Sequence, residues 1–271
     1  MPELPEVETT CRGIRPHIIG QTLEKLVIRE SRLRWPVSGD WIETMPGARV
    51  DRVWRRGKYI LLDTTRGCLL LHLGMSGSLR LTDPAAPPRK HDHIDVRFSG
   101  GVCLRFHDPR RFGCLLQVEA DPEQHPLLAG LGPEPLAEHF DGAYLAARAA
   151  GRTTAIKRFI MDSRQVVGVG NIYANEALFG AALLPGRPAG SLTRAEHDRL
   201  AGSIRQVLTA AIAQGGTTLR DFVNATGTPG YFSQTLMVYD RAGQPCRLCG
   251  QALQSGRLGQ RATYWCPGCQ V

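Results

Sequence analysis

No hydrophobic run in the sequence approaches a membrane span: the densest apolar stretch, Cys68 to Leu73, falls far short of the ~20 residues a spanning helix needs. Internal repeats and low-complexity tracts are also missing. The first residues, Met1-Pro2-Glu3-Leu4-Pro5-Glu6, are acidic and proline-rich and lack the basic and apolar regions of a signal or transit peptide, so a cytoplasmic protein with no membrane partner is expected. In that reducing compartment eight cysteines argue for metal ligands or buried thiols rather than disulfides. Acidic residues are the scarcer charge, 25 against 33 basic, and the resulting +8 is permissive of a nucleic-acid partner without identifying one. The 271 residues suffice for two domains with modest cores.

Three zones separate by pattern. From Val50 to Val118 the sequence is strand-like. Ile94, Val96 and Phe98 alternate with charged neighbours, as do Val102, Leu104 and Phe106, with Ser99-Gly100-Gly101 between them, which predicts a hairpin with one buried face. Ile60-Leu61-Leu62 and Leu69-Leu70-Leu71 read as further core strands of a sandwich or barrel-like domain. Pro122 to Pro135 reads as a linker, and the pattern then turns helical. One helix is expected to end near Met161 and another to begin near Asn171 after Gly168-Val169-Gly170. Thr193 to Glu196 forms a capping box ahead of Leu200, Ile204, Val207, Leu208 and Ile212, and Gly215-Gly216 ends that helix.

The third zone, from about Tyr239, carries Cys246-x2-Cys249 and Cys266-x2-Cys269 sixteen residues apart. Two such knuckles make a closed thiolate set for one structural Zn²⁺, and the segment between them is long enough for a hairpin. So small a subdomain has too little core to fold without the metal. Cys11, Cys68, Cys103 and Cys114 lie in apolar patterns and read as small buried hydrophobes.

At the N-terminus Leu4, Val7, Cys11 and Ile14 recur at helical spacing, Pro5 suits a first turn, and Glu6 and Glu8 favour the positive end of the helix dipole. One reading is a helix start that only packs on the core. The other is chemical: removal of Met1 would leave Pro2 as a secondary amine beside Glu3. An α-amine has a pKa of about 7.7–8.0 against about 10.4 for lysine, so roughly a tenth is unprotonated at neutral pH. Such an amine can attack a sugar aldehyde carbon, with Glu3 moving the protons.

The blocks PELPEVETT, RRGKY around Lys58, HLGMSGSL around Met75, KHDHID from Lys90, DPRRFG from Asp108, VGVGNIYANEALF from Val167, QGGTTLRDF from Gln214 and QRATYWC before the last knuckle resemble, in order, the bacterial formamidopyrimidine-DNA glycosylase family. The resemblance implies an α+β multidomain fold. Its parts would be an N-terminal β-sandwich with flanking helices (1–130), a helix–two-turn–helix domain (131–225) and a C-terminal zinc-finger β-hairpin (236–271), with DNA held between the halves. It implies a monomer that acts on double-stranded DNA containing damaged bases, on the nucleoid, with zinc and no organic cofactor. Pro2 would be the Schiff-base nucleophile, Glu3 the general acid/base at the sugar, Lys58 the acid/base of β-elimination, and Arg261 the residue of δ-elimination.

The same resemblance makes Met75, Arg110 and Phe112 the side chains that fill the hole left by a flipped base. Arg110 has donors only, which match the adjacent acceptors of an orphaned cytosine. Lys58, His72, Asn171 and Arg261 correspond to a phosphate clamp, and a glycine-rich turn before Asn171 independently suits an anion. By the same resemblance His91, Arg110 and Arg152 are expected to contact DNA, while His93 reads as structural. Glu6 is offered as a contact to the damaged base, and Thr217 to Tyr231 as the segment that covers it. Two rivals stay open: an endonuclease VIII-like enzyme for oxidised pyrimidines, and a non-catalytic zinc-ribbon DNA-binding module.

Overall fold

The computed structural model describes residues 1–119, 121–217 and 235–271. The chain divides into two compact units: Met1–Ala129 with Gln214–Ser233, and Gly130–Ala213 with Gln234–Val271.

The first unit opens with α1 (Leu4–Ile18) and continues through β1 (Leu23–Ile28), the short α2 (Trp41–Thr44), β2 (Val50–Arg56), β3 (Tyr59–Thr64), β4 (Gly67–His72), β5 (Ser78–Thr82), β6 (Asp92–Phe98), β7 (Val102–His107) and β8 (Cys114–Val118). These strands form two antiparallel four-stranded sheets, ordered β1-β6-β7-β5 and β2-β3-β4-β8. Both sheets contribute to one core: Leu26, Ile94, Val96, Leu104 and Phe106 come from the first, and Ile60, Leu62, Leu69, Leu71 and Leu115 from the second. That is a sandwich, and it decides between the two β architectures the pattern left open. The predicted hairpin is β6–β7, turning at Ser99–Gly101. The strand β1 precedes the zone the alternation marked. Its sequence LEKLVI buries only Leu23 and Leu26 fully, too sparse a signal to read.

Val7, Cys11, Ile14 and Ile18 form the stripe by which α1 joins the same core. The four cysteines outside the finger are buried, and burial pushes their thiols up, Cys11 and Cys114 to about 12 and Cys103 to about 11. They serve as apolar filling, as their settings suggested.

The second unit holds α3 (Gly142–Ala149), α4 (Ile156–Met161), α5 (Asn171–Gly180), α6 (Arg194–Ala213) and a hairpin of β9 (Gln254–Leu258) with β10 (Arg261–Trp265). The capping box at α6 forms: Thr193 N–H donates to Glu196 Oε2 at 2.7 Å, and Glu196 N–H to Thr193 Oγ1 at 3.3 Å. Helix α5 seats Phe179 in a small core with Val238, Cys246, Leu253 and Cys266, which joins the finger to the helices of its own unit.

Two glycines show how tightly the sandwich loops are drawn together. A Cβ on Gly113 would lie 2.5 Å from the His72 carbonyl oxygen and 2.6 Å from Phe106 Cζ, whereas one on exposed Gly130 would meet nothing within 4 Å. Gly113→Ala is expected to cost roughly 1–3 kcal/mol, because backbone and ring must both move. Gly130→Ala should be neutral or slightly stabilising by restricting the unfolded chain. Thermal denaturation of the two variants compares them, and equal melting temperatures would contradict the packing described.

Candidate functional site

Pro2 and Glu3 are buried at the head of α1. Glu3 is the N-cap residue, and its N–H donates to Glu6 Oε2 at 2.8 Å in a reciprocal capping box. The other oxygen of Glu6, Oε1, accepts the N–H of Thr217 at 2.8 Å, across 211 residues of sequence. Gly216, at φ +83°, lets the chain come this close, since a Cβ there would stand 2.9 Å from Oε1. Glu6 is thus a backbone clamp, a role its resemblance-based assignment as a base contact did not suggest. Residues 218–231 of the segment expected to cover the base lie outside the described residues.

Lys58 sits in the two-residue turn between β2 and β3, where Arg56 pairs with Tyr59. Gly57, at φ +56°, takes the first loop position, the signature of a type II′ turn. The turn is tied to α1 through one carboxylate. Glu8 accepts from Arg12 at 2.8 Å and from Arg55 at 3.0 Å, while Arg55 also donates to the Gly57 carbonyl at 2.9 Å. The terminal helix and the Lys58 turn therefore share a polar link.

In the same sheet Tyr59, His72 and Cys114 are cross-strand neighbours, and the Tyr59 and His72 rings lie 4.9 Å apart. Gly74 N–H donates to His72 Nδ1 at 2.9 Å, which leaves the proton of the neutral ring on Nε2 as a donor. Burial, then the charges of Lys58 and Arg34, lowers the His72 pKa to about 4.

The loops that carry Met75 and Phe112 meet backbone to backbone: a Cβ on Gly74, at φ +66°, would lie 2.5 Å from the Gly113 nitrogen. The Arg110 guanidinium lies 5.2 Å from the centroid of the Phe112 ring, and Phe112 is 44% exposed, a costly place for a ring that only packs. Asp108, fully buried, shapes the loop by accepting from Gly113 N–H at 2.8 Å and Arg110 N–H at 3.3 Å. His93 Nε2–H donates to the Asp108 carbonyl at 2.8 Å, which is the structural role expected of it. His91, at φ +71°, accepts the Asp108 N–H through its carbonyl. Its ring is held below its usual pKa by partial burial and by Lys90, His107, His93 and Arg111.

In the second unit Arg152 is exposed after α3, and Asn171 begins α5 behind Gly170 as N-cap. Asn171 Oδ1 is buried without a hydrogen-bond partner among the described residues. The four finger sulfurs lie within 4.8 Å of one another, with Cys246–Cys269 at 3.9 Å and Cys249–Cys266 at 3.4 Å. Zn–S bonds of ~2.3 Å require tetrahedron edges of about 3.8 Å, so this donor set fits a structural Zn²⁺ with no open position. Arg261 follows the two-residue turn Gly259-Gln260 as the exposed first residue of β10.

Sequence reasoning missed the residues that hold these elements. Lys157, buried, donates Nζ–H to the Ala262 carbonyl at 2.6 Å and to Thr263 Oγ1 at 2.9 Å. Glu176 accepts the N–H groups of Met237, Val238 and Tyr239. Asn175 bonds both its own helix and β10. A lysine, an asparagine and a glutamate within apolar runs were the available signal, because a buried polar group implies a partner.

Three family profiles match the chain in series: the formamidopyrimidine-DNA glycosylase N-terminal domain over residues 1–115, the H2TH domain of the same enzyme over 131–223, and a zinc finger found in FPG and IleRS over 243–271. A formamidopyrimidine-DNA glycosylase of Methylococcus capsulatus is 64% identical over the whole of both chains. The crystal structure of the MutM (Fpg) protein of Thermus thermophilus superposes with a TM-score of 0.87 at 40% identity, covering 99% of this chain and 98% of that one. The Lactococcus lactis Fpg in complex with DNA containing an abasic site gives 0.91 at 32% identity, covering 99% of each chain.

The setting of His72 has a measurable consequence. Its ring should stay neutral well below the usual value and titrate near pH 4 in the folded protein. Because the unfolded chain takes up that proton near pH 6.5 and the folded chain does not, this group withdraws stability as pH falls from about 6.5 towards 4. Imidazole NMR of the folded protein tests the assignment, and a midpoint near 6.5 would refute it.

Proposed function

The chain belongs to the formamidopyrimidine-DNA glycosylase family and is a base-excision-repair DNA glycosylase, and on that footing we propose that it removes oxidised purines and then cuts the strand through a Schiff base on Pro2. The observation that carries this reading is the N-terminal helix. It is sunk in the sandwich core, capped at Glu3 by Glu6, and linked through Glu8 and Arg55 to the turn bearing Lys58. A helix that merely packed would not need its first two residues buried and clamped, and a zinc-ribbon binding module gives no reason for them.

With Met1 in place the Pro2 nitrogen is an amide, so the chemistry begins with its removal. The secondary amine of Pro2 attacks C1′ of the damaged nucleotide, the glycosidic bond breaks, and the base leaves with a proton. Glu3 protonates the ring oxygen as the sugar opens, which gives a cationic Schiff base at C1′. That cation acidifies the C2′ proton. Its loss expels the 3′ phosphate, with Lys58 as acid/base, and a second elimination served by Arg261 expels the 5′ phosphate. Water then hydrolyses the imine and frees Pro2. A zinc ion bound by Cys246, Cys249, Cys266 and Cys269 would brace the hairpin that carries Arg261, and with four thiolate ligands it would have no open position for substrate.

Within this reading His72, whose Nε2–H remains a donor while Nδ1 is occupied, joins Lys58, Asn171 and Arg261 on the phosphates of the flipped nucleotide. His91 and Arg152 contact the DNA backbone. Met75, Arg110 and Phe112 fill the vacated stack, supported by the close packing of their two loops. Bound in this way, the protein would reside on the nucleoid.

Two outcomes are expected. Borohydride added during turnover on a damaged duplex should yield a covalent adduct that maps by peptide mass analysis to the N-terminal peptide, and an adduct on Lys58 would overturn the assignment. Excision of 8-oxoguanine should be faster opposite cytosine than opposite adenine by about ten- to a hundredfold, the worth of roughly 1–3 kcal/mol for a mismatched donor–acceptor pair. Arg110→Ala should narrow that ratio, and an unchanged ratio in single-turnover assays would count against Arg110.

A further inference from the structure

Among the described residues the hairpin of β9 and β10 has no third strand, so the outer edge of β10 presents unpaired backbone groups that other parts of the unit must satisfy. Two side chains do this. Lys157 of α4 donates to the Ala262 carbonyl, and Asn175 of α5 accepts the Tyr264 N–H on Oδ1 at 2.9 Å. Ala262 and Tyr264 are two residues apart, so both groups lie on the same edge and the side chains act as a substitute strand.

Asn175 differs from Lys157 in what its other end does. Its Nδ2–H donates at 2.6 Å to the carbonyl of Asn171, the first residue of α5, and the whole side chain is fully buried. One planar amide therefore spans the first turn of α5 and the strand that begins with Arg261. Both its polar ends are used, and their separation is set by covalent geometry rather than by a flexible stem. Lys157 reaches β10 on four methylenes and could follow small shifts of the strand, whereas Asn175 could not.

We propose that Asn175 is a positioning residue that registers the helix N-terminus bearing Asn171 against the zinc-held strand bearing Arg261, so that both are presented together to DNA phosphate. The proposal rests on the phosphate-clamp reading of Asn171 and Arg261 given above. In this arrangement zinc folds the hairpin, and Asn175 sets where along α5 the hairpin docks. The unpartnered, buried Asn171 Oδ1 fits the same picture. Among the described residues that atom has no hydrogen-bond partner, so the backbone turn that Asn175 ties down is what places the side chain.

The test uses the full-length, zinc-loaded protein and four forms: wild type, Asn175→Ala, Arg261→Ala and the double variant. Affinity for a duplex bearing a tetrahydrofuran abasic analogue is measured across a salt series, with zinc content and helix content as controls and amide exchange at Tyr264 as a local reporter. Asn175→Ala should keep its zinc and helix content and expose the Tyr264 amide to faster exchange. It should weaken binding by about tenfold and flatten the salt dependence by about 0.9 in log–log slope, one phosphate's worth. In the double variant its effect should largely vanish, because a misplaced arginine and an absent one are equivalent. Full additivity of the two substitutions, or an unchanged salt slope in Asn175→Ala beside a reduced one in Arg261→Ala, overturns the proposal and leaves the clamp reading standing. A silent Arg261→Ala overturns the clamp reading and the proposal with it. Loss of zinc from Asn175→Ala would make the residue a folding determinant of the finger and likewise overturn it. If Asn175→Ala is poorly folded, Asn175→Asp, which keeps the acceptor for Tyr264 but loses the donor to Asn171, should retain slow exchange at Tyr264 yet show the same loss in slope; a wild-type slope there overturns the proposal.

Discussion

A carboxylate with two oxygens can hold two chain segments at once, and in the first unit much depends on one that does. Glu6 grips the N–H of Glu3 with one oxygen and that of Thr217 with the other. Its burial makes the arrangement exacting: a desolvated carboxylate is tolerable only when its lone pairs are met, so the backbone on either side has little freedom to drift. The apolar stripe of α1 supplies the adhesion that keeps the helix in the core, and Glu6 supplies the register. Hydrophobic burial alone, being non-directional, would hold the helix without orienting its first residues.

The same division between adhesion and register recurs elsewhere. In the loops that carry Met75 and Phe112, apolar packing against Phe106 draws the chains together, while Gly74, Gly113 and the Asp108 carboxylate determine how they meet. In the second unit Phe179 and the finger residues make a small apolar core, and Lys157, Asn175 and Glu176 decide which backbone groups face which. Among the described residues Phe112 and Arg261 each stand close in sequence to such a polar tie rather than being part of one.

What could be read in the sequence and what could not follow from this difference. The β6–β7 hairpin, the stripe of α1, the α6 capping box and the paired cysteine knuckles are local patterns, and each forms where it was expected. The strand β1 was missed because its face is only half buried, and its pairing with β6 is supplied by a segment some seventy residues away. Asp108 lay within a quoted motif, yet its role escaped notice because its partners are backbone N–H groups that carry no residue identity. Asn175 and Glu176 were likewise invisible as ties, since Tyr264 and Met237 announce nothing in sequence about what their amides need. The arrangement at the head of α1 was legible only in part: the helix was evident, whereas the engagement of Glu6 by Thr217 is a contact no periodicity records.

That long-range contact also has a consequence for how the protein is made. At about 5–20 residues per second, synthesis reaches Thr217 roughly 10–40 s after the first residues of α1 have been joined. Throughout that interval the head of the helix lacks one of the two backbone partners of Glu6, and the start of the chain is accordingly less confined than in the finished fold, where Pro2 is buried and Met1 half-buried. Any enzyme acting on these first residues therefore meets them less confined on the nascent chain than in the finished fold, where Gly216 and Thr217 have arrived to complete the grip of Glu6.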